Sequence, residues 1–254
     1  MLTRIQNYHF DWKLGLFTLL LFPALLRLGF WQLEREQEKL TLQSLYESRQ
    51  SAETVSLSSL NEDSDLQYVP VRFRGNFDNE HSFLLDNKIY AGQVGFEVLT
   101  PFYTNAGELV IVNRGWIAQN EYREILPQID DLAGEVELQG SVYVPLGAQF
   151  MLGLEEASNS WPWVIQSLDI SNMITTLNAD LNHFPYSVRL GAFQPGVYVR
   201  NWPVISTSPE KHRGYAVQWF SMAAVLLLLY LFTSTKAEMI TTKNEDINEE
   251  VKRG

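Results

Sequence analysis

Apolar residues are unevenly distributed along the chain: two continuous stretches lie near its ends, and the region between them alternates. Tyr215 to Phe232 (YAVQWFSMAAVLLLLYLF) carries no formal charge over eighteen residues. As a helix rising about 1.5 Å per residue it reaches roughly 27 Å, close to the thickness of a hydrocarbon core. Leu14 to Trp31 (LGLFTLLLFPALLRLGFW) has the same length and one internal charge, Arg27, near enough to the end to snorkel to the interface. Pro23 is tolerated there as a kink. A signal peptide is the competing reading, since Arg4 and Lys13 precede an apolar run ending at Leu26. The residues after Leu26 lack a small-x-small cleavage site and include Trp31, a side chain suited to an interface, so an uncleaved span is expected.

Between the spans the texture changes twice. Glu34 to Gln50 is free of Gly and Pro and rich in helix formers, which predicts that the first span continues as a juxtamembrane helix. Ser51 to Asp65 is rich in Ser and acids and reads as a loop. From Tyr68 the runs YVPVRFRGNF, HSFLLDNK, GFEVLTPFY, ELVIVNRGW and EVELQGSVYV carry β-branched or aromatic residues separated by Gly, Asn, Asp or Pro. They predict an antiparallel sheet or small barrel. Short helices are expected at Asn120 to Leu126 and Asp169 to Leu177, and a further strand at Tyr186 to Phe193. The chain therefore divides into an N-terminus (1–13), a first span (14–31), an intervening domain (32–214), a second span (215–232) and an acidic tail (233–254). The fold class is that of an α+β membrane protein, with two transmembrane helices flanking a mainly antiparallel-β, barrel-like domain with short helices.

Charge and composition narrow the function. The 254 residues hold 19 Lys+Arg against 30 Asp+Glu, a net charge of −11, which argues against a nucleic-acid partner. The absence of cysteine excludes thiolate metal sites, disulfides and cysteine nucleophiles. The sequence contains no phosphate loop, dinucleotide fingerprint, nucleophile elbow or zinc-spaced histidine pair. Its carboxylates at Glu62, Asp63, Asp65, Asp130, Asp131, Glu155 and Glu156 sit in polar runs that read as solvated surface. An enzyme is not expected. Counting positive charges around the spans points the intervening loop inward, but that rule weakens for loops longer than about 60 residues, and orientation stays open on charge alone.

Four histidines remain: His9, His81, His183 and His212. His212 stands out, at the mouth of the second span in KHRGYAVQWF, where an imidazole can offer a lone pair to iron or simply meet headgroups between Lys211 and Arg213. Arg114, after an apolar strand and before Gly115, is expected to pair with a carboxylate at a bulge or turn, with Trp116 packing beside it. Gln218 should seek a hydrogen-bond partner inside the membrane, and Ala216, Ser221, Ala223 and Ala224 are small enough for close helix approach, against Gly29.

Taken in order, these features resemble a known family, the surfeit-locus-type (Shy-type) cytochrome c oxidase assembly factors. The resemblance is carried first by L-G-F-W-Q-L-x-R-x-x-x-K (Leu28, Gly29, Trp31, Gln32, Arg35, Lys39). Gly75 and Phe77 follow, then G-x-x-G-F-E-V-L-T-P-F from Gly92 to Phe102, then Asn113-Arg114-Gly115-Trp116. His212 with Gly214, Tyr215, Ala216, Gln218 and Trp219 completes it. Met1 to Lys13 and Thr233 to Gly254 carry none of it, and Glu135 to Pro195 little.

The resemblance implies a factor of the bacterial inner (plasma) membrane with its large domain in the periplasm and both termini cytoplasmic. It would help mature a haem-copper oxidase, handling haem a for the main subunit alongside the haem a biosynthesis machinery and within membrane lipid. His212 is implied as the haem ligand, the only contact to a metal. Trp31, Gln32, Tyr215, Gln218 and Trp219 are expected near it and Arg35 opposite a propionate. Gly29, Asn113, Arg114, Gly115 and Trp116 are expected to be structural. Copper delivery is disfavoured, because five Met and four His are scattered without a close pair of ligands. A scaffold that grips an oxidase subunit without holding haem is the alternative, and an enzyme acting on haem or a periplasmic substrate comes third.

Overall fold

The computed structural model describes residues 12–61, 63–145, 160–179, 182–205 and 207–253, with side chains as far as Thr233. The elements in chain order are α1 (Trp12–Gln50), β1 (Val55–Ser56), β2 (Pro70–Phe77), β3 (Phe83–Tyr90), β4 (Gln93–Thr104), β5 (Leu109–Ala118), β6 (Val136–Tyr143), β7 (Trp163–Ile165), α2 (Ile170–Thr176), β8 (His183–Leu190) and α3 (Pro209–Arg253). They form two compact units, one of Met1–Gln43 with Ile205–Gly254 and one of Ser44–Val204.

The helical unit contains the greater part of α1 and all of α3. Both helices are long and apolar enough to cross a membrane, and only 17% and 11% of their most apolar windows are buried within the protein. Leu19, Leu20, Leu228, Leu229 and Phe232 instead face outward. Two helices that direct leucine away from the protein suit a lipid environment, which makes this a membrane-anchored α+β protein. The buried positions of α1 are Thr18, Leu25, Gly29 and Glu36, spaced by sevens and fours. On α3, Ala216 and Ala223 are buried one heptad apart. Small residues thus form the contact seam, as close helix approach in a bilayer requires. A Cβ on Gly29 would lie 2.5 Å from Cε1 of Phe220, so glycine makes room for that ring. Phe30 meets the same ring edge-on at 5.2 Å. Ser221 and Ala224, expected in the seam, are exposed, because 3.6 residues per turn carries them off the face shared by Ala216 and Ala223. α3 also continues as helix to Arg253, beyond the expected end of the span at Phe232.

In the second unit the strands close a ring in the order β2–β6–β8–β5–β4 and back to β2. Its pairings are antiparallel except for β5 with β8, which is parallel. β4 makes closure possible by changing partner along one edge. Its residues Gln93 to Leu99 pair with β3, and Phe102 to Thr104 pair with Gly75 to Phe77 of β2. Pro101 sits at the changeover, where its carbonyl accepts from Asp78 N–H at 2.9 Å and its missing N–H forfeits no ladder bond. Val71, Phe77, Phe102, Val112, Leu138 and Val188, drawn from all five strands, fill the ring interior. A second core, including Phe83, Leu99, Ile111, Ile165, Met173 and Ile174, packs β3, β7 and α2 onto the outside of β4 and β5.

The helix expected at Asn120 to Leu126 is absent: that segment is a turn. Asn120 Nδ2 donates to Ile125 O at 2.7 Å, and Ile125 N–H donates to Tyr122 O at 3.1 Å. The amide side chain competes for the backbone, and Pro127 disfavours helical conformation at Leu126. The helix expected at Asp169 to Leu177 forms as α2, capped by Asp169 Oδ1, which accepts from Asn172 N–H at 3.1 Å. The strand expected at Tyr186 to Phe193 begins earlier, at His183, and ends at Leu190. Residues 1–11, with His9 and Arg4, and Glu62, Glu155 and Glu156 lie outside the described residues, as do the side chains of the acidic tail.

Candidate functional site

A polar cluster gathers around His212 in the helix seam, with Gln32 half-buried and Glu36 buried. Gln32 and Glu36 are four residues apart, hence on one face of α1. His212 and Arg213 lie in the opening turns of α3, which begins at Pro209, where a missing N–H costs nothing. His212 Nδ1 is 2.8 Å from Gln32 Oε1. An amide oxygen only accepts, so the ring donates from Nδ1 and carries its lone pair on Nε2. Nε2 is buried without a hydrogen-bond partner. Beside this pair, Arg213 reaches the buried carboxylate of Glu36, with Nε to Oε1 at 2.7 Å and Nη2 to Oε1 at 2.5 Å. The seam therefore holds one satisfied ion pair and one imidazole nitrogen of unused donor capacity.

The other expected cofactor residues do not converge on it. Arg35 pairs with Glu38 at 2.8 Å on the exposed side of α1, and its guanidinium lies 5.9 Å from the centre of the Trp31 ring. One helical residue step, about 100°, turns Arg35 away from the face that Glu36 occupies. Tyr215 and Gln218 are exposed. Trp219, seven residues after His212 and so on the same face, is half-buried. A cavity of about 690 Å³ in the helical unit is lined by Leu16, Leu19, Phe22, Pro23, Leu227 and Tyr230, toward the opposite end of the helix pair from His212. Glu36 and Arg213 did not stand out in the sequence; the i, i+4 spacing of Gln32 and Glu36 is the signal that would have found them.

Asn113 to Trp116 form a separate construction in the β unit. Val98 pairs with Gly115 and Leu99 with Asn113, which leaves Arg114 as the extra residue of a bulge. Gly115 takes φ +114, and a Cβ there would lie 2.7 Å from Val199 O. Asn113 Oδ1 accepts from Gly115 N–H at 3.0 Å while its Nδ2 donates to Glu97 Oε2 at 2.7 Å. Among the described residues, the carboxylate partner expected for Arg114 is not found. Its Nε donates to Gly196 O at 2.9 Å and its Nη2 to Asp130 O at 3.0 Å, both backbone carbonyls. The guanidinium also lies 5.0 Å from the Tyr198 ring centre and 5.4 Å from that of Phe77. Burial pushes its pKa below the usual arginine range, though Tyr198 and Asp130 offset part of this. Trp116 donates from Nε1 to Lys88 O at 2.9 Å and exchanges backbone bonds with Val199. Here the motif ties the segment around Tyr198 to the barrel.

A family model described as "SURF1 family" matches residues 19–224. The chain belongs to the SURF1 family. Among curated members, it is 28% identical to Surfeit locus protein 1 of Xenopus tropicalis over 231 residues, 84% of this chain and 73% of that one. The SURF1-like protein of Rickettsia felis is 25% identical over 239 residues, 86% of this chain and 96% of its own length. That of Monosiga brevicollis is 25% identical over 224 residues, 82% and 83% of the two chains. The SURF1 match begins within α1 and ends within α3, and so takes in both Gln32 and His212 together with the whole barrel.

Proposed function

We propose that this SURF1 family member is a non-enzymatic, membrane-anchored assembly factor for a haem-copper (cytochrome c) oxidase, and that it holds haem a transiently for the main subunit. The observation that supports this reading is the His212 ring, oriented by Gln32 through Nδ1 with its other nitrogen buried and unpaired. A second group that fixes the tautomer and aims the free nitrogen is the arrangement by which histidine serves as a metal ligand. Haem a, when bound, supplies an iron centre that accepts a nitrogen donor and carboxylates that need a cation. His212 would be the ligand. Arg35, engaged with Glu38, does not fit the propionate role from its present position.

Because Nε2 is enclosed by the helix seam, engagement requires the pair to open locally, which suits transient holding better than permanent storage. The protein accordingly works in the bacterial inner membrane, with its barrel in the periplasm and both termini in the cytoplasm. Its partners are the oxidase main subunit and the machinery that makes haem a. The test is the visible spectrum of detergent-purified protein from cells making haem a, for wild type, His212→Ala and Gln32→Leu. A Soret and an α band in the wild type, lost in His212→Ala and weakened or shifted in Gln32→Leu, support the reading. A colourless wild type after reconstitution with haem a overturns it.

One observation favours a second reading, a structural scaffold that stabilises an oxidase intermediate without haem. The same hydrogen bond, together with the Glu36–Arg213 ion pair, is sufficient to lock α1 against α3. A scaffold would co-purify with the oxidase subunit without haem, and would still do so in His212→Ala, where the Glu36–Arg213 ion pair continues to join the helices.

A further inference from the structure

The β unit contains a second polar site, remote in character from the histidine seam. A cavity of about 230 Å³ is bounded by the last turns of α1, by β6 and by the segment that follows β8. Its lining includes Arg49, Arg189 and Arg200, with Thr54, Ser141 and Gln194 among the uncharged groups, and no Asp or Glu among the described residues. Three guanidiniums thus share one small chamber in a chain whose net charge is −11. Like charges so placed repel one another, and a counterion within the chamber relieves that repulsion.

Among the described residues, none of the three is neutralised by an ion pair. Arg49 donates from Nη2 to the backbone carbonyl of Asp65 at 3.0 Å, while the Asp65 carboxylate accepts from Gln67 N–H. Arg189 lies with its guanidinium carbon 3.4 Å from the Tyr143 ring centre and 5.7 Å from that of Trp202. Its Nε is buried without a hydrogen-bond partner. Arg200 lies 5.2 Å from the same Trp202 ring, so one indole serves two cations. Glu97 is the acid whose field most favours charged Arg189, but Asn113 holds its carboxylate and no ion pair forms. Aromatic faces orient Arg189 and Arg200 without discharging them, and although Tyr143 also hydrogen-bonds Arg189 and Asp65 O takes one N–H of Arg49, the remaining N–H groups suit a ligand rich in acceptor oxygens.

We propose that this chamber binds a phosphate group, held by Arg49, Arg189 and Arg200. The size agrees: the cavity falls below the roughly 300–1,000 Å³ of sites that enclose drug-sized ligands, and its polar lining does not suit a porphyrin. A tetrahedral oxyanion with a few waters fits, and three cations match its charge of about −2 near neutral pH. The group arrives either as free inorganic phosphate or on the headgroup of a lipid. The site lies entirely in the β unit, so it stands or falls independently of haem at His212.

The test uses the full chain in a zwitterionic detergent and follows intrinsic tryptophan fluorescence and melting temperature during titration, at constant ionic strength set with chloride. One arm uses inorganic phosphate and the other a soluble short-chain phosphatidic acid. The comparison variants are Arg200→Gln and Arg49→Gln, at an exposed and a half-buried position, and Arg189→Gln is held back because its side chain is more enclosed. Saturable binding of inorganic phosphate, weakened at least tenfold in both variants, supports the site with free phosphate as its source. The same pattern with the lipid alone supports it with a headgroup. Absence of saturable binding in either arm, or binding that Arg200→Gln and Arg49→Gln leave unchanged, overturns the proposal.

Discussion

Around the bulge of β5, single side chains satisfy buried groups that no backbone ladder reaches. Asn113 is the clearest case, since one amide both fixes the bulge and supplies a donor to the buried carboxylate of Glu97. Replacing it with leucine strands that charge, so Asn113→Leu should cost about 2–4 kcal/mol of stability. Glu97→Gln, which keeps an acceptor and removes the charge, should cost clearly less. Thermal melting of the full chain, followed by circular dichroism, separates the two, and equal losses would refute the account. Tyr68 gives a titration at the same scale. Its burial raises the phenol above the usual 10.0, an effect that Arg189 partly opposes. The folded state therefore keeps this proton longer than the unfolded chain does. The stability so gained is complete below about pH 10 and is lost as pH rises through the folded value. Tyr68→Phe should flatten the fall of melting temperature above pH 10, with phenolate absorbance as the direct readout.

At the scale of elements the barrel depends on one close seam. A Cβ on Gly75 would stand 2.0 Å from Tyr103 O, a backbone atom that cannot swing aside. Gly75→Ala should therefore separate β2 from β4 and destabilise the β unit by about 3 kcal/mol or more. In hydrogen exchange, protection should be lost first at Asn105 N–H, which donates to Arg74 O, and at Asp78 N–H, which donates to Pro101 O. Unchanged protection at both amides would mean that closure does not depend on this contact.

The strands around that seam were readable from the sequence. The five runs from Tyr68 to Val144 alternate or concentrate β-branched and aromatic residues, and β2 to β6 form within a few residues of them. β7 was not readable, because three residues, Trp163 to Ile165, are too few to show a period. Nor was the parallel alignment of β5 with β8, which is a property of the closed ring and not of either strand. The polar clusters divide in the same way. His212 and Gln32 attract notice by residue type, but their bond joins positions 180 apart. The partners of Arg114 are carbonyls, which every residue carries and no motif marks. The three arginines of the β-unit chamber are separated in sequence and become a cluster only once the chain has folded.

For the whole molecule the open physical variable is which side of the membrane carries the β unit, because flanking charge argues weakly for a loop this long. The chain provides its own test: with no cysteine in its 254 residues, a single introduced thiol is the only labelling site. Phe193 is 99% exposed in the β unit, and Trp12 is exposed at the start of α1. In cells with a permeabilised outer membrane and an intact inner one, a membrane-impermeant maleimide should label Phe193→Cys. It should reach Trp12→Cys only after lysis. The reverse pattern would place the β unit in the cytoplasm and would put the His212 end of the seam on the cytoplasmic face, since Gln32 follows the first apolar span and His212 precedes the second, both on the side of the chain that leads into that unit. Labelling of both sites before lysis would mean that α1 does not span, and the two-helix anchor itself would fall.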